Sequence, residues 1–140
     1  MRGVRLPDEI RPALDNGLPA LMVTCSADGT PNATIISKVY YVDEMHVALS
    51  FQFFNKTIRN VRENPRAWAA VTDFVSQTDW TLDLEFERSE TEGPIFDAMD
   101  MQIEAIASAS GMSGIFKLRA ADIYRVLSVE RVAHVARAER

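Results

Sequence analysis

The stretch Met45-His46-Val47-Ala48-Leu49-Ser50-Phe51-Gln52-Phe53-Phe54-Asn55-Lys56-Thr57-Ile58-Arg59-Asn60-Val61-Arg62-Glu63-Asn64-Pro65 reads as a strand delivered into a short helix. Met45 to Leu49 alternates large and small side chains at the period of a strand. From Lys56 the period changes: Ile58 and Val61 share one helical face, and Arg59, Arg62 and Glu63 point elsewhere. Asn64-Pro65 stops the helix, because a residue before proline is driven out of the α region. Asn55 is the expected N-cap, which puts Lys56 and Thr57 in the first turn. Unpaired N–H groups and the positive end of the helix dipole favour a phosphate there. A capped surface helix with a solvated lysine would show the same local pattern.

Upstream, residues Pro7 to Asn16 read as a short helix with Ile10, Ala13 and Leu14 on one face, within an N-terminal segment 1–17. Ala20 to Cys25 is a first strand, and Ala27-Asp28-Gly29-Thr30 a hairpin turn with Gly29 free to take positive φ. Asn32 to Val42 reads as one long second strand, turned by Asp43-Glu44 into the strand that ends at Ser50. Downstream, Arg66 to Phe74 has the pattern of a strand buried on both faces. In the next strand Trp80, Leu82, Leu84 and Phe86 face one way, opposite Thr81, Asp83, Glu85 and Glu87. Pro94 opens a peripheral helix (93–111) with Phe96, Met99, Ile103 and Ile106 as its apolar stripe. A last strand centres on Ile123 to Leu127. Six strands in meander order without βαβ alternation predict a mainly β fold, an antiparallel barrel closed or nearly closed, over a single domain 1–140.

Composition narrows the function classes. Hydrophobic residues make up 47% of the 140 and charged residues 25%, which excludes wholesale disorder. A net charge of -5 with no basic block argues against a nucleic-acid partner. No apolar run approaches the roughly 20 residues of a membrane span, and the N-terminus lacks an apolar signal region, so a cytoplasmic location is expected. The single cysteine, Cys25, lies in an apolar strand pattern and reads as an inert thiol. His46 and His134 have no cysteine partner at ligand spacing, so no metal site is expected. Ile35-Ile36-Ser37-Lys38-Val39-Tyr40 places one lysine in an apolar β run. That marks either an edge strand or a strand bordering a planar ligand. Phe51, Phe53 and Phe54 are too many large apolar groups for an exposed loop, which suggests cover by a ligand or a second subunit.

Two motifs together carry a resemblance. The turn Asp28-Gly29-Thr30-Pro31 is followed about 25 residues later by Lys56-Thr57-x-x-Asn60-x-x-x-Asn64-Pro65, with a strand ending in Ser50 between them. This order resembles the pyridoxamine 5'-phosphate oxidase-like, FMN-binding split barrels, with recognisable motifs over Leu18 to Val75. The resemblance implies a six-stranded antiparallel split β-barrel and a homodimer with FMN at the subunit interface. It implies cofactor contacts from Ile36, Ser37 and Lys38 on the second strand, from Ser50, and from Asn55, Lys56 and Thr57 at the helix start, Lys56 holding the phosphate. It implies a flavin-dependent oxidoreductase acting on a small-molecule substrate, with no residue singled out as acid or base. Asn55 and Ile35 stand where the oxidases proper have arginines, and Arg59 is a candidate to compensate. The tail Val132 to Arg140 lacks their tryptophan- and arginine-containing segment, so pyridoxamine phosphate is not the expected substrate. Relatives of this fold leave two alternatives: a non-catalytic flavin- or haem-binding module, with His46 or His134 as axial ligand, and a deazaflavin-dependent reductase.

Overall fold

A computed structural model describes residues 3–16, 19–51, 55–109, 111, 114 and 118–132. A 3-10 turn at Asp8–Ile10 leads into α1 (Arg11–Asp15), followed by β1 (Ala20–Cys25), β2 (Pro31–Ile36), β3 (Tyr40–Asp43) and β4 (His46–Phe51). Then come α2 (Asn55–Glu63), β5 (Arg66–Asp73), β6 (Thr78–Glu90), α3 (Pro94–Ala109) and β7 (Ala120–Val132). The strands form one antiparallel sheet in the order β2-β1-β5-β6-β7-β4-β3.

The expectation of six strands is corrected to seven, and the sheet of the barrel expected to be closed or nearly closed is not closed. The predicted long strand 32–42 is two strands on opposite edges of the sheet. β2 pairs with β1 from Pro31 to Ile36, whose partner Ala20 begins β1, so the ladder runs out there. Val39 and Tyr40 are both buried, at 1% and 2% exposure, but in different cores. Two adjacent buried side chains serving opposite faces fit a strand start covered on both sides, and the chain bends here to join β4. The four links from Ile36 to Tyr40 reach at most about 14 Å. The free edges therefore curl close together at this corner, which makes the architecture a split barrel.

The interior holds Met22, Val47, Leu49, Trp80, Leu82, Leu84, Tyr124 and Val126, joined by Ile10 and Leu14 of the N-terminal helical segment and Val61 of α2. Trp80, Leu82 and Leu84 are buried as the alternation predicted; Phe86 is half-buried, edge-on to the Tyr124 ring at 5.5 Å. β5 corrects its expectation, since Ala67, Ala69, Val71 and Asp73 are buried but Trp68, Ala70 and Thr72 only half so. Outside the barrel, α3 covers β3, β4 and β7 through a second core of Tyr40, Ala48, Met99, Ile103, Ala121 and Ile123. Of its expected stripe Met99 and Ile103 are buried, joined by Ala107, whereas Phe96 is half-buried and Ile106 is 50% exposed. A spacing of four follows the row of side chains that settles on the underlying strands.

The β1–β2 turn follows its expectation. Gly29 has φ 88°, and Asp28 accepts the Thr30 N–H at 3.0 Å and the Ser26 hydroxyl. Those hydrogen bonds, from Ser26 first, hold the Asp28 carboxyl down at about 2. Among the described residues no helix is long and apolar enough to cross a membrane.

Candidate functional site

The residues expected to form a ligand site lie on the β2–β3 connection, at the end of β4 and at the start of α2. β3 and β4 pair as Tyr40↔Ala48 and Tyr41↔Val47. Extending that register back by two residues brings Lys38 level with Ser50. Ser50 is buried at 9% exposure and pairs with Ala121 on its other side. β4 ends at Phe51 and α2 begins at Asn55, so the strand feeds the helix start directly. Asn55, Lys56 and Thr57 occupy the first turn of α2, and their side chains lie outside the described set, as do residues 52–54. The expected N-cap role of Asn55 and the cover supplied by Phe51, Phe53 and Phe54 lie there too.

The three corner residues differ in what they offer. Ile36 is 5% exposed and packs in the barrel interior, so its side chain serves the core and only its backbone is left to offer a ligand. Ser37 is exposed. Lys38 is half-buried, donates to Gln102 Oε1 of α3 at 2.8 Å, and lies 5.1 Å from the centroid of the Tyr40 ring. Burial pushes the Tyr40 phenol up to about 12, so it remains a neutral donor at physiological pH.

Beneath α2 lies an anchor that sequence reading missed. Asn60, 3% exposed, donates from Nδ2 to Thr24 Oγ1 of β1 at 3.2 Å, and Thr24 is 1% exposed. A buried polar pair holds one geometry because each partner has no water to fall back on. This pair pins to the barrel the helix that carries Lys56. Its signal was present in the sequence: Thr24 follows Ala20 and Met22 on the inward face of β1, where a hydroxyl calls for a partner.

His46 sits at a junction with two carboxylates. Its Nδ1 lies 2.9 Å from Asp43 Oδ1 and its Nε2 3.2 Å from Glu87 Oε2. Glu87 also accepts Arg125 Nη2 at 3.2 Å. β6 pairs Phe86 with Tyr124 and Arg88 with Ile123, so Glu87 is the extra residue of a bulge, which re-aims its side chain. Burial pushes the Glu87 carboxyl up, but the His46 and Arg125 contacts outweigh it and hold it below the ordinary range. Asp43 is likewise raised by burial and lowered further by the Met45 N–H and His46. With both ring nitrogens facing carboxylates, His46 has none to offer an iron in this arrangement. His134 lies outside the described residues. Among the described residues no group of three or more His, Cys, Asp or Glu is arranged to hold a metal ion.

One further buried charge sits one row from Ser50. Asp122 pairs with Leu49, is 2% exposed, and accepts the Ser89 hydroxyl at 2.5 Å. Burial raises its carboxyl above the usual range, tempered by that hydrogen bond and by the charge of Arg62.

The architecture has solved relatives at low identity, which establish likeness of fold alone. An FMN-binding protein from Syntrophomonas wolfei superposes with a TM-score of 0.76 at 16% identity, over 92% of this chain and 87% of that one. An F420 reductase gives a TM-score of 0.64 at 13% identity, covering 89% and 98%. The haem storage protein HutZ from Vibrio cholerae gives 0.61 at 16% identity, covering 91% and 94%. No curated protein matches the sequence significantly. A sequence profile for pyridoxamine 5'-phosphate oxidase matches residues 6–127, most of the barrel and both motifs, and on that match this chain belongs to the pyridoxamine 5'-phosphate oxidase family.

Proposed function

We propose that this chain binds FMN and works as a homodimeric, flavin-dependent oxidoreductase on a small-molecule substrate. What carries the reading is that β4 runs from Ser50 into the start of α2, with Lys38 opposite Ser50 when the β3–β4 register is extended two residues back. A phosphate fits the first turn of α2, where the helix N–H groups and Lys56 supply matching charge. Ser37, Lys38, Ser50 and the backbone after Ile36 supply donors and acceptors for the heteroatoms of a flat ring. Asn55 and Thr57 flank the phosphate end. When bound, FMN supplies reversible electron transfer. The protein's part is to fix the phosphate, orient the ring along the β2–β3 corner and leave one ring face open to a second reactant.

The FMN-binding protein from Syntrophomonas wolfei shows that this fold can hold FMN. HutZ brings haem into question for this fold, and the two occupied nitrogens of His46 count against that residue as an axial ligand. The F420 reductase keeps a deazaflavin as the second reading, because both ligands present a phosphate and a tricyclic ring.

A second copy is the proposed occupant of the outer face of β1, β2 and β5. There Ile35 (63% exposed), Leu21 and Ala70 lie in one row and Ala33, Val23 and Trp68 in the next. Phe74, 70% exposed, continues the β5 side of that face at its end.

The test is the absorption spectrum of the purified protein followed by anaerobic addition of NADH or NADPH. A flavin spectrum that bleaches and returns with air supports an oxidoreductase. A flavin inert to every donor supports a binding module, and a deazaflavin or haem spectrum overturns the FMN assignment. Rapid turnover of pyridoxamine phosphate would overturn the reading of the C-terminal tail.

A further inference from the structure

A cavity of about 180 Å³ opens between the edge strand β3 and helix α3, outside the barrel. Tyr40 and Val42 line it from the strand, Ile95 and Met99 from the helix, and Gln102 closes one end. Lys38 does not line the cavity but is bonded to the lining Gln102 at 2.8 Å and lies 5.1 Å from the centroid of the lining Tyr40 ring. The β3–β4 register shifts between Tyr41 and Asp43, leaving Val42, one of the lining residues, as the extra residue. Bulges of this kind re-aim side chains, often at sheet edges and beside binding sites.

We propose that this cavity binds a small aromatic carboxylate, its ring against Val42, Ile95 and Met99 and its anionic group toward Lys38. Three observations select that class. An apolar cavity of about 150 Å³ suffices for benzene, so this one holds a single ring and a substituent of a few atoms. The walls offer hydrocarbon, a thioether and aromatic faces, which suit a planar ring. Among the described residues Lys38 makes no ion pair, and its ammonium donates to a neutral amide. A half-buried cation without a carboxylate, one side chain away from a largely apolar cavity, complements a ligand that brings one. Gln102 then positions the ammonium and offers its amide N–H₂ as a second donor. Lys38 also belongs to the proposed cofactor corner, so the inference rests on that reading, with the Lys38 backbone serving the cofactor and its ammonium, turned toward Gln102, serving this ligand.

Benzoate is the probe, titrated into the purified protein while the Met99 methyl resonance is followed by NMR and heats by calorimetry. Binding in the millimolar range or tighter is expected, with a shift of the Met99 methyl. Lys38→Met should weaken benzoate about 10- to 100-fold, while benzyl alcohol, neutral and of the same shape, should bind wild type and variant alike and more weakly than benzoate binds the wild type. Ala98→Trp, placed on the exposed side of α3 where it lines the cavity, should abolish the Met99 shift without lowering the melting temperature. Failure of benzoate to bind, equal benzoate affinity in Lys38→Met, equal affinity for the alcohol, or retained binding in Ala98→Trp would each overturn the proposal.

Discussion

The Thr24–Asn60 pair lets the placement of α2 be tested without touching a residue proposed to contact the cofactor. Thr24→Val keeps the shape of the side chain and removes only the hydroxyl that Asn60 Nδ2 reaches at 3.2 Å. Both residues are almost fully enclosed, at 1% and 3% exposure, so the orphaned amide finds no water. An unsatisfied buried donor costs about 1–3 kcal/mol. For a chain of this length that corresponds to a fall in melting temperature of about 3–12 °C. Replacing both partners removes the stranded group, so Thr24→Val/Asn60→Leu should be less destabilised than the sum of the single variants, with a coupling of about 1 kcal/mol. The link to function is read by repeating the melts with FMN. A ligand that binds only the folded state raises stability according to its affinity, and a loosened α2 should shrink that rise in Thr24→Val. Differential scanning calorimetry supplies all of these values. A Thr24→Val protein as stable as wild type, with additive single and double variants, would refute the idea that this pair anchors the helix.

Three other outcomes follow from the electrostatics and the outer face. Asp122→Asn can still accept the Ser89 hydroxyl but no longer buries a charge. The carboxyl is raised in the folded state, so its penalty grows as pH rises through and above the ordinary carboxylate range. The variant should gain a few degrees of melting temperature at neutral pH and almost nothing near pH 4; a loss at neutral pH would contradict this. Asp43 and Glu87 are lowered, so their contribution is present above the ordinary carboxylate range and lost as pH falls below it. Glu87→Gln should flatten the acid limb of a melting-temperature profile at a neutral-pH cost under about 1 kcal/mol, given partial exposure. An unchanged acid limb would remove the His46 junction from the stability of the fold. Light scattering of the flavin-bound protein should give about twice the 15.7 kDa of one chain, and Trp68→Glu should return it to one. A monomeric wild type with flavin bound would rule out a shared intersubunit site.

Much of the fold was legible because its signals are local. β1 was read at its observed bounds, β4 and α2 to within a residue, and the alternation of Trp80, Leu82 and Leu84 placed the core face of β6. The long second strand failed for a partly non-local reason. Residues 32–42 are largely β-forming, and the break at Ser37 to Val39 falls on the weak strand formers Ser37 and Lys38, where β2 also runs out of a partner beyond Ala20. Nothing within that segment reports where its partner ends. The stripe of α3 was misread because its contacts are with β3, β4 and β7, and they select Ala107 over Ile106. The same limit governs the site. The start of α2 is a contiguous motif and could be read directly, whereas Lys38 and Gln102 lie 64 residues apart and meet only once α3 folds across the sheet. Glu87 reaches His46 only because of a bulge that its own alternating pattern did not announce.

The central claim is that the β2–β3 corner and the first turn of α2 form an FMN site with Lys56 at the phosphate. Titration of FMN into apoprotein, followed by quenching of flavin fluorescence, tests it most directly when wild type and Lys56→Ala are compared. The account predicts saturation at one FMN per chain and a weakening of about 10- to 150-fold in the variant, as expected for loss of one charge-assisted contact to an anion. An unchanged dissociation constant in Lys56→Ala, or a wild-type protein that ignores FMN while taking up haem or a deazaflavin, would contradict it.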